Sequence, residues 1–195
     1  MKTFNIKAQK TWVIFVLAAV VVFVNSFSVA AQSSANDPSP VNFPVPKGIS
    51  NQLFYLQRDP NTNTIICKLN VDSKGKLNVD EPIKVYWVRY AENGEIKELN
   101  YVQRKFAYGI QSESLGNDQY KLNFVSYKKF PMYLSKSAKD NQYHVYVTAN
   151  NKRIQLSRIF LRIVGGSFWV PNVRYVELKG TNSLNDAPVT ERIKV

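Results

Sequence analysis

Apolar residues in this chain gather in short runs, alternating or continuous, and each run is closed by a cluster of Gly, Asn, Asp or Pro. That punctuation predicts strands rather than helices. Gln52–Gln57 is stopped by Asp59-Pro60-Asn61, and Thr64–Val71 ends at Asp72-Ser73-Lys74-Gly75. Ile83–Tyr90 is the strongest strand candidate and runs into Asn93-Gly94, a hairpin signal because both residues accept a positive φ. Gln119–Tyr127 alternates, with Tyr120, Leu122 and Phe124 on one face. Phe130–Leu134 holds Pro131, which confines it to an edge or a bulged strand. Gln142–Ala149 and Lys152–Val164 flank Asn150-Asn151 as a long hairpin. Gly165-Gly166 turns the chain into Phe168–Leu178, and Val189–Val195 follows Pro188.

Two segments depart from simple alternation. In Lys152–Val164, Ile154 and Leu156 share one face, whereas Ile159, Leu161 and Ile163 have the opposite parity. One side can bury both sets only if an extra residue intervenes, so a bulge or bend is predicted near Ser157-Arg158. Leu99, Val102, Phe106 and Ile110 are spaced like one face of a helix, with Arg104 and Lys105 in its last turn and Gly109 as its cap. Several strands carry apolar residues on both faces, as in Val85 and Trp87 against Tyr86 and Val88. The expected fold is therefore all-β: a sandwich or closed barrel of about 8–10 mostly antiparallel strands, with one short helix near residues 98–108.

The first 31 residues have another character. Lys2, Lys7 and Lys10 precede the unbroken apolar run Trp12–Val24, and Val29-Ala30-Ala31 supplies the small residues of a cleavage site. The run is too short to span a bilayer, which takes roughly 20 apolar residues. Residues 1–31 read as a signal peptide cleaved after Ala31, which sends the chain to the periplasm or outside the cell. No transmembrane span is expected in the mature protein. Residues 32–45 are polar and hold three of the nine prolines, as a flexible linker would. Residues 46–195 then form a single β-rich domain, with no internal repeat and no later linker.

Export changes the meaning of the charge and of the cysteine. Three of the 26 basic residues and none of the 14 acids leave with the signal, so a net charge of +12 falls to +9. The excess is dispersed, and its densest clusters are pairs such as Arg104-Lys105 and Lys152-Arg153. An anionic small molecule, glycan or envelope component fits such a chain better than nucleic acid, which an exported protein rarely meets. Cys67 is the only cysteine, so no internal disulfide exists; its apolar neighbours predict a buried thiol.

Catalytic chemistry finds little to build on. His144 is the single histidine; with Cys67 it offers two zinc ligands where three or four are needed. No Gly-x-Ser-x-Gly elbow presents a serine, and no glycine-rich loop cradles a phosphate. Most acids sit in turns; Glu177 lies mid-strand and is expected to face outward beside a basic neighbour. No metal, no cofactor and no catalytic residue is assigned. The remaining signal is basic and aromatic. Arg158, Phe160 and Arg162 share one parity and would form an outward cation–aromatic–cation face, with Arg174 joining from the next strand. Arg104 and Lys105 add a second basic pair on the predicted helix.

Two stretches carry a family likeness. Ile83–Tyr90 (IKVYWVRY) with Tyr101–Gly109 (YVQRKFAYG), and Phe168–Pro171 (FWVP) through Val189–Ile193 (VTERI), resemble an exported, uncharacterised family of Bacteroidetes-type bacteria known only as a domain of unknown function. The resemblance spans residues 46–195, implies the same exported setting, and brings no catalytic residues. The expectation is an exported, non-enzymatic β-domain that binds an anionic ligand or envelope partner through a basic-aromatic surface. The alternatives are a structural or assembly component of the envelope and, behind it, an envelope hydrolase.

Overall fold

The structure, a computed structural model, describes residues 42–167 and 170–194. The expected signal peptide, residues 1–31, and most of the expected linker lie outside these residues. Eleven strands are formed among the described residues: β1 (Gln52–Arg58), β2 (Asn61–Leu69), β3 (Ile83–Arg89), β4 (Glu95–Glu98), β5 (Ile110–Gly116), β6 (Gln119–Phe124), β7 (Tyr127–Lys136), β8 (Tyr143–Ala149), β9 (Lys152–Gly166), β10 (Pro171–Asn182) and β11 (Pro188–Lys194). One short helix, α1 (Tyr101–Gln103), widens into a π turn over Arg104–Tyr108.

β9 organises the sheet. One of its edges is shared: residues Lys152–Gln155 pair with β8, and Arg158–Leu161 pair with β1. The other edge pairs with β10 along most of its length, and β11 follows β10. From the shared edge two arms run outward, β1-β2-β3-β4 and β8-β7-β6-β5. Only β1 against β9 is parallel. The hand-over coincides with the bulge that parity predicts: Leu156 opposes Gly180 and Arg158 opposes Lys179, leaving Ser157 as the extra residue. It turns Ile154, Leu156 and Ile159 all into the core. Gly180 completes the device, because a Cβ there would lie 1.9 Å from the Gln155 carbonyl oxygen.

The inner faces of the two arms close over one core. Phe54 of β1 meets the edge of Phe124 of β6, with ring centroids 6.3 Å apart. Ile65, Cys67, Val85 and Trp87 pack there with Leu122, Met132, Leu134 and Val147. A smaller cluster of Ile66, Tyr86 and Val88, covered by Ile49, Tyr55 and Tyr90, buries the opposite face of β2 and β3. This explains why those strands are apolar on both sides.

The expected sandwich or closed barrel is corrected here. The terminal strands β4 and β5 are not hydrogen-bonded to each other; the helical segment bridges them, so the sheet curls into a half-barrel that stays open. β4 presents an edge whose four residues are all exposed and include two glutamates and a lysine, which discourages further pairing.

The helix lies where it was expected but turns a different face inward. Asn100 caps it: its side chain accepts from the Gln103 backbone N–H at 2.8 Å, while Gln103 Oε1 accepts from the Asn100 N–H at 3.1 Å. Leu99 is buried and Ile110 half-buried, but Val102 and Phe106 are exposed. Tyr108 and Ala107 make the inward contact instead. The π turn rotates the face away from the regular helical spacing. Gly109 is extended rather than left-handed (φ −60°, ψ 149°), so it is not the expected cap. Its lack of a side chain makes room for the Arg104 carbonyl oxygen, 2.0 Å from where a Cβ would sit. Asn93-Gly94 and Asn150-Asn151 adopt the positive φ expected of hairpin turns. Pro131 sits in a bulge, since Phe124 pairs with Tyr127 but Leu122 pairs with Met132.

Candidate functional site

The register of β9 sets Arg158, Phe160 and Arg162 on one face, as parity predicts. The same face receives Tyr175, Glu177 and Lys179 from β10, with Arg192 opposite Glu177 on β11. It is not an open cationic surface. Glu177 is 6% exposed, contrary to the outward orientation expected of it. Its carboxylate accepts from Arg192 Nε at 2.9 Å and lies 3.6 Å from Arg158 Nη1 and 3.5 Å from Lys179 Nζ. Arg158 Nε also donates to Gln57 Oε1 at 2.8 Å. Arg162 is paired with Asp59, itself buried at the end of β1.

Rings complete the arrangement. The Arg158 guanidinium lies 4.8 Å from the Phe160 ring centre, and Arg192 lies 4.8 Å from that of Tyr175. Residues ahead of Pro46 cover the face: Phe43 packs edge-on to Phe160 at 5.2 Å, and the Pro44 carbonyl accepts from Gln57 Nε2 at 2.7 Å. This is a half-buried network of ion pairs and rings.

The other predicted residues lie apart from it. Arg174 is exposed at the register shift between Val173 and Tyr175. Arg104 reaches Glu81 and Glu98 at 3.6 and 3.7 Å. Lys105 donates to the Tyr101 hydroxyl at 2.8 Å and lies 5.3 Å from that ring.

A second basic-aromatic arrangement lies at the opposite end of β9. The β8–β9 hairpin sets Arg153 opposite Thr148 and diagonal to Tyr146, and β7 sets Tyr133 opposite Tyr146. The Arg153 guanidinium stacks 4.4 Å from the Tyr146 ring centre, and no carboxylate pairs with it among the described residues. Its backbone is fixed by Ser183, whose N–H and hydroxyl both donate to the Arg153 carbonyl, at 3.0 and 2.7 Å. Stacking uses the flat face of the guanidinium and leaves its N–H edge for a ligand. A groove of about 290 Å³ opens there, with Tyr133, Tyr146, Arg153, Thr148, Ser135 and Gln119 in its lining. Parity across the Asn150-Asn151 hairpin was the signal that could have found it.

His144, on the same face as Tyr146, is held at both ring nitrogens. Gln155 donates to Nδ1 at 3.0 Å, and the Nε2 proton goes to Asp140 at 2.7 Å. That bond, with the Gln142 backbone N–H ahead of it, holds the Asp140 carboxyl below its ordinary range. Cys67 is fully buried, and burial pushes its thiol well above the usual range. No group of three or more His, Cys, Asp or Glu side chains among the described residues is placed to hold a metal ion. No described helix is long and apolar enough to cross a membrane.

The domain is thus an open, curled β-sheet whose surface carries salt bridges and aromatic clusters suited to binding. No curated protein and no solved structure matches the chain. A family model described as a domain of unknown function (DUF4833) matches residues 54–192, from the middle of β1 into β11, and the chain belongs to that family.

Proposed function

We propose that this protein is an exported, non-enzymatic domain, periplasmic or extracellular, that binds an anionic ligand through a basic-aromatic surface. The observation that carries the reading is Arg153: stacked on Tyr146, fixed through its backbone, and without a carboxylate partner among the described residues. A planar cation with a free N–H edge suits a carboxylate or phosphate group. Tyr133 beside it offers a ring for stacking, and Thr148, Ser135 and Gln119 offer hydrogen bonds. The groove holds a fragment the size of one acidic sugar rather than a large cofactor. Export rests on the signal-like residues 1–31. Binding without catalysis agrees with a histidine already committed to Asp140 and Gln155.

The test is calorimetry with a short uronic-acid oligosaccharide and its neutral counterpart, at two salt concentrations. Preference for the acidic sugar, lost by about tenfold or more in Arg153→Ala with an unchanged melting temperature, is the expected result. Equal binding of both sugars, or unchanged affinity in Arg153→Ala, overturns the reading.

A further inference from the structure

Arg58 closes β1 on the face that Phe54 and Leu56 turn into the core, opposite in parity to Gln57. Its guanidinium lies 5.8 Å from the Trp87 ring centre and 5.4 Å from that of Tyr108. Arg58 Nε is the one buried side-chain nitrogen or oxygen among the described residues that lacks a hydrogen-bond partner. No described carboxylate forms an ion pair with this arginine, although Arg158 and Arg162 nearby each have one. The residue is half-buried, and its terminal nitrogens are not among the buried orphans.

The corner around it is built independently of the arginine. Trp87 Nε1 donates to Gln103 Oε1 at 3.2 Å, and Gln103 is itself fixed by the helix cap. Trp87 packs edge-on to Tyr108, with centroids 5.2 Å apart. Gly109 lets the π turn that carries Tyr108 close tightly. Burial raises the Tyr108 phenol above its ordinary value, so the hydroxyl stays protonated beside the cation. Two locked rings therefore flank the guanidinium, while no carboxylate among the described residues satisfies its charge. A cation in that setting, with water excluded from part of it, attracts an oxyanion more strongly than an exposed lysine does.

We propose that Arg58, held against Trp87 and Tyr108, is a second anion site that takes one small oxyanion, a carboxylate or phosphate group, end-on at its terminal nitrogens. It lies on the opposite face of the sheet from Arg153 and at the other end of β9, since Arg58 pairs with Leu161. The proposal stands or falls independently of the groove.

The test is a titration of the full chain with inorganic phosphate and, separately, acetate, followed by nitrogen–proton NMR of the arginine Nε–H and tryptophan indole signals. Ionic strength is matched with sodium chloride. Triple-resonance spectra of the wild-type chain supply the assignments. The expected result is a saturable shift of the Arg58 Nε–H and Trp87 indole signals, with a Kd of about 1 mM or tighter for at least one of the two anions. Arg58→Lys, which keeps the charge but loses the planar fork, weakens it by about tenfold or more, and Arg153→Ala leaves it intact. The proposal is overturned if these signals do not saturate with either anion in the wild-type chain, or if Arg58→Lys binds as well as wild type. The wild-type titration decides the matter even if a variant fails to fold.

Discussion

The parallel pair of β1 and β9 carries arginines on both of its faces, and the two faces treat them differently. On one, Arg158 and Arg162 meet Glu177 and Asp59, two buried carboxylates, and rings fill the gaps. On the other, Arg58 has, among the described residues, only the rings of Trp87 and Tyr108. A buried arginine with its acid is part of the framework: it costs desolvation, but breaking the pair costs more. A half-buried arginine without an acid contributes little to folding, because an orphaned donor offsets the attraction of the rings. The difference separates an arginine that holds the sheet together from one left available to a ligand.

The contrast breaks most sharply at Glu177. Glu177→Ala leaves Arg158, Arg192 and Lys179 without their shared carboxylate. Urea unfolding is expected to show a loss of about 3–5 kcal/mol. A loss under about 1 kcal/mol, the range of exposed ion pairs, would place the network among solvent-screened surface contacts.

Gly180→Ala comes next. It drives a Cβ into the Gln155 carbonyl at the point where β9 passes from β8 to β1. A stability loss of about 1–3 kcal/mol is expected, as for an overpacked core position. Wild-type stability in this variant would mean that the bulge is soft and does not fix the two arginine faces.

Cys67 gauges the core beneath both faces. Cys67→Ser should cost about 1–3 kcal/mol by burying a hydroxyl short of partners. In the folded chain the thiol should resist alkylation at mildly alkaline pH and react only on unfolding, since burial holds it protonated. Rapid native labelling would contradict this.

The smallest effect is electrostatic and lies at the pair of Asp140 and His144. The Asp140 carboxyl is held below its ordinary value of 3.8 by the Gln142 N–H and His144. A carboxylate depressed on folding stabilises above its unfolded pKa, and the contribution fades as pH falls through the folded value. Thermal melts of wild type and Asp140→Asn should therefore differ slightly near neutrality and converge in acid below the unfolded value. A difference that grows in acid would reverse the sign.

Local features of the fold are legible in the residues; long-range ones are not. Asn93-Gly94 and Asn150-Asn151 announce hairpins through their tolerance of positive φ, and the parity change across Ser157 announces the bulge. Gly180, inside a strand, was a further sign of close backbone approach at that bulge. No local pattern says that β1 lies parallel to β9, because that pairing joins segments about a hundred residues apart. The meeting of Arg162 with Asp59 depends on it, whereas Arg158 meets Glu177 through the antiparallel pairing of β9 with β10. Parity alone therefore reads Arg158, Phe160 and Arg162 as an open face and cannot supply the acids. Arg58 did leave a trace: it follows Phe54 and Leu56 on the apolar parity of β1, a charge on a core-facing row. An open rather than closed sheet was hidden as well, since nothing in β4 or β5 alone says whether the two will pair.

The most direct test sets Arg162→Met beside Arg58→Met in parallel urea unfolding experiments. Both substitutions keep a flexible apolar stem and remove a guanidinium. Arg162→Met, which strands the buried Asp59, should lose about 3 kcal/mol or more, whereas Arg58→Met should stay within about 1 kcal/mol of wild type. Equal losses in the two variants would contradict the account, because Arg58 would then be as much a part of the framework as Arg162.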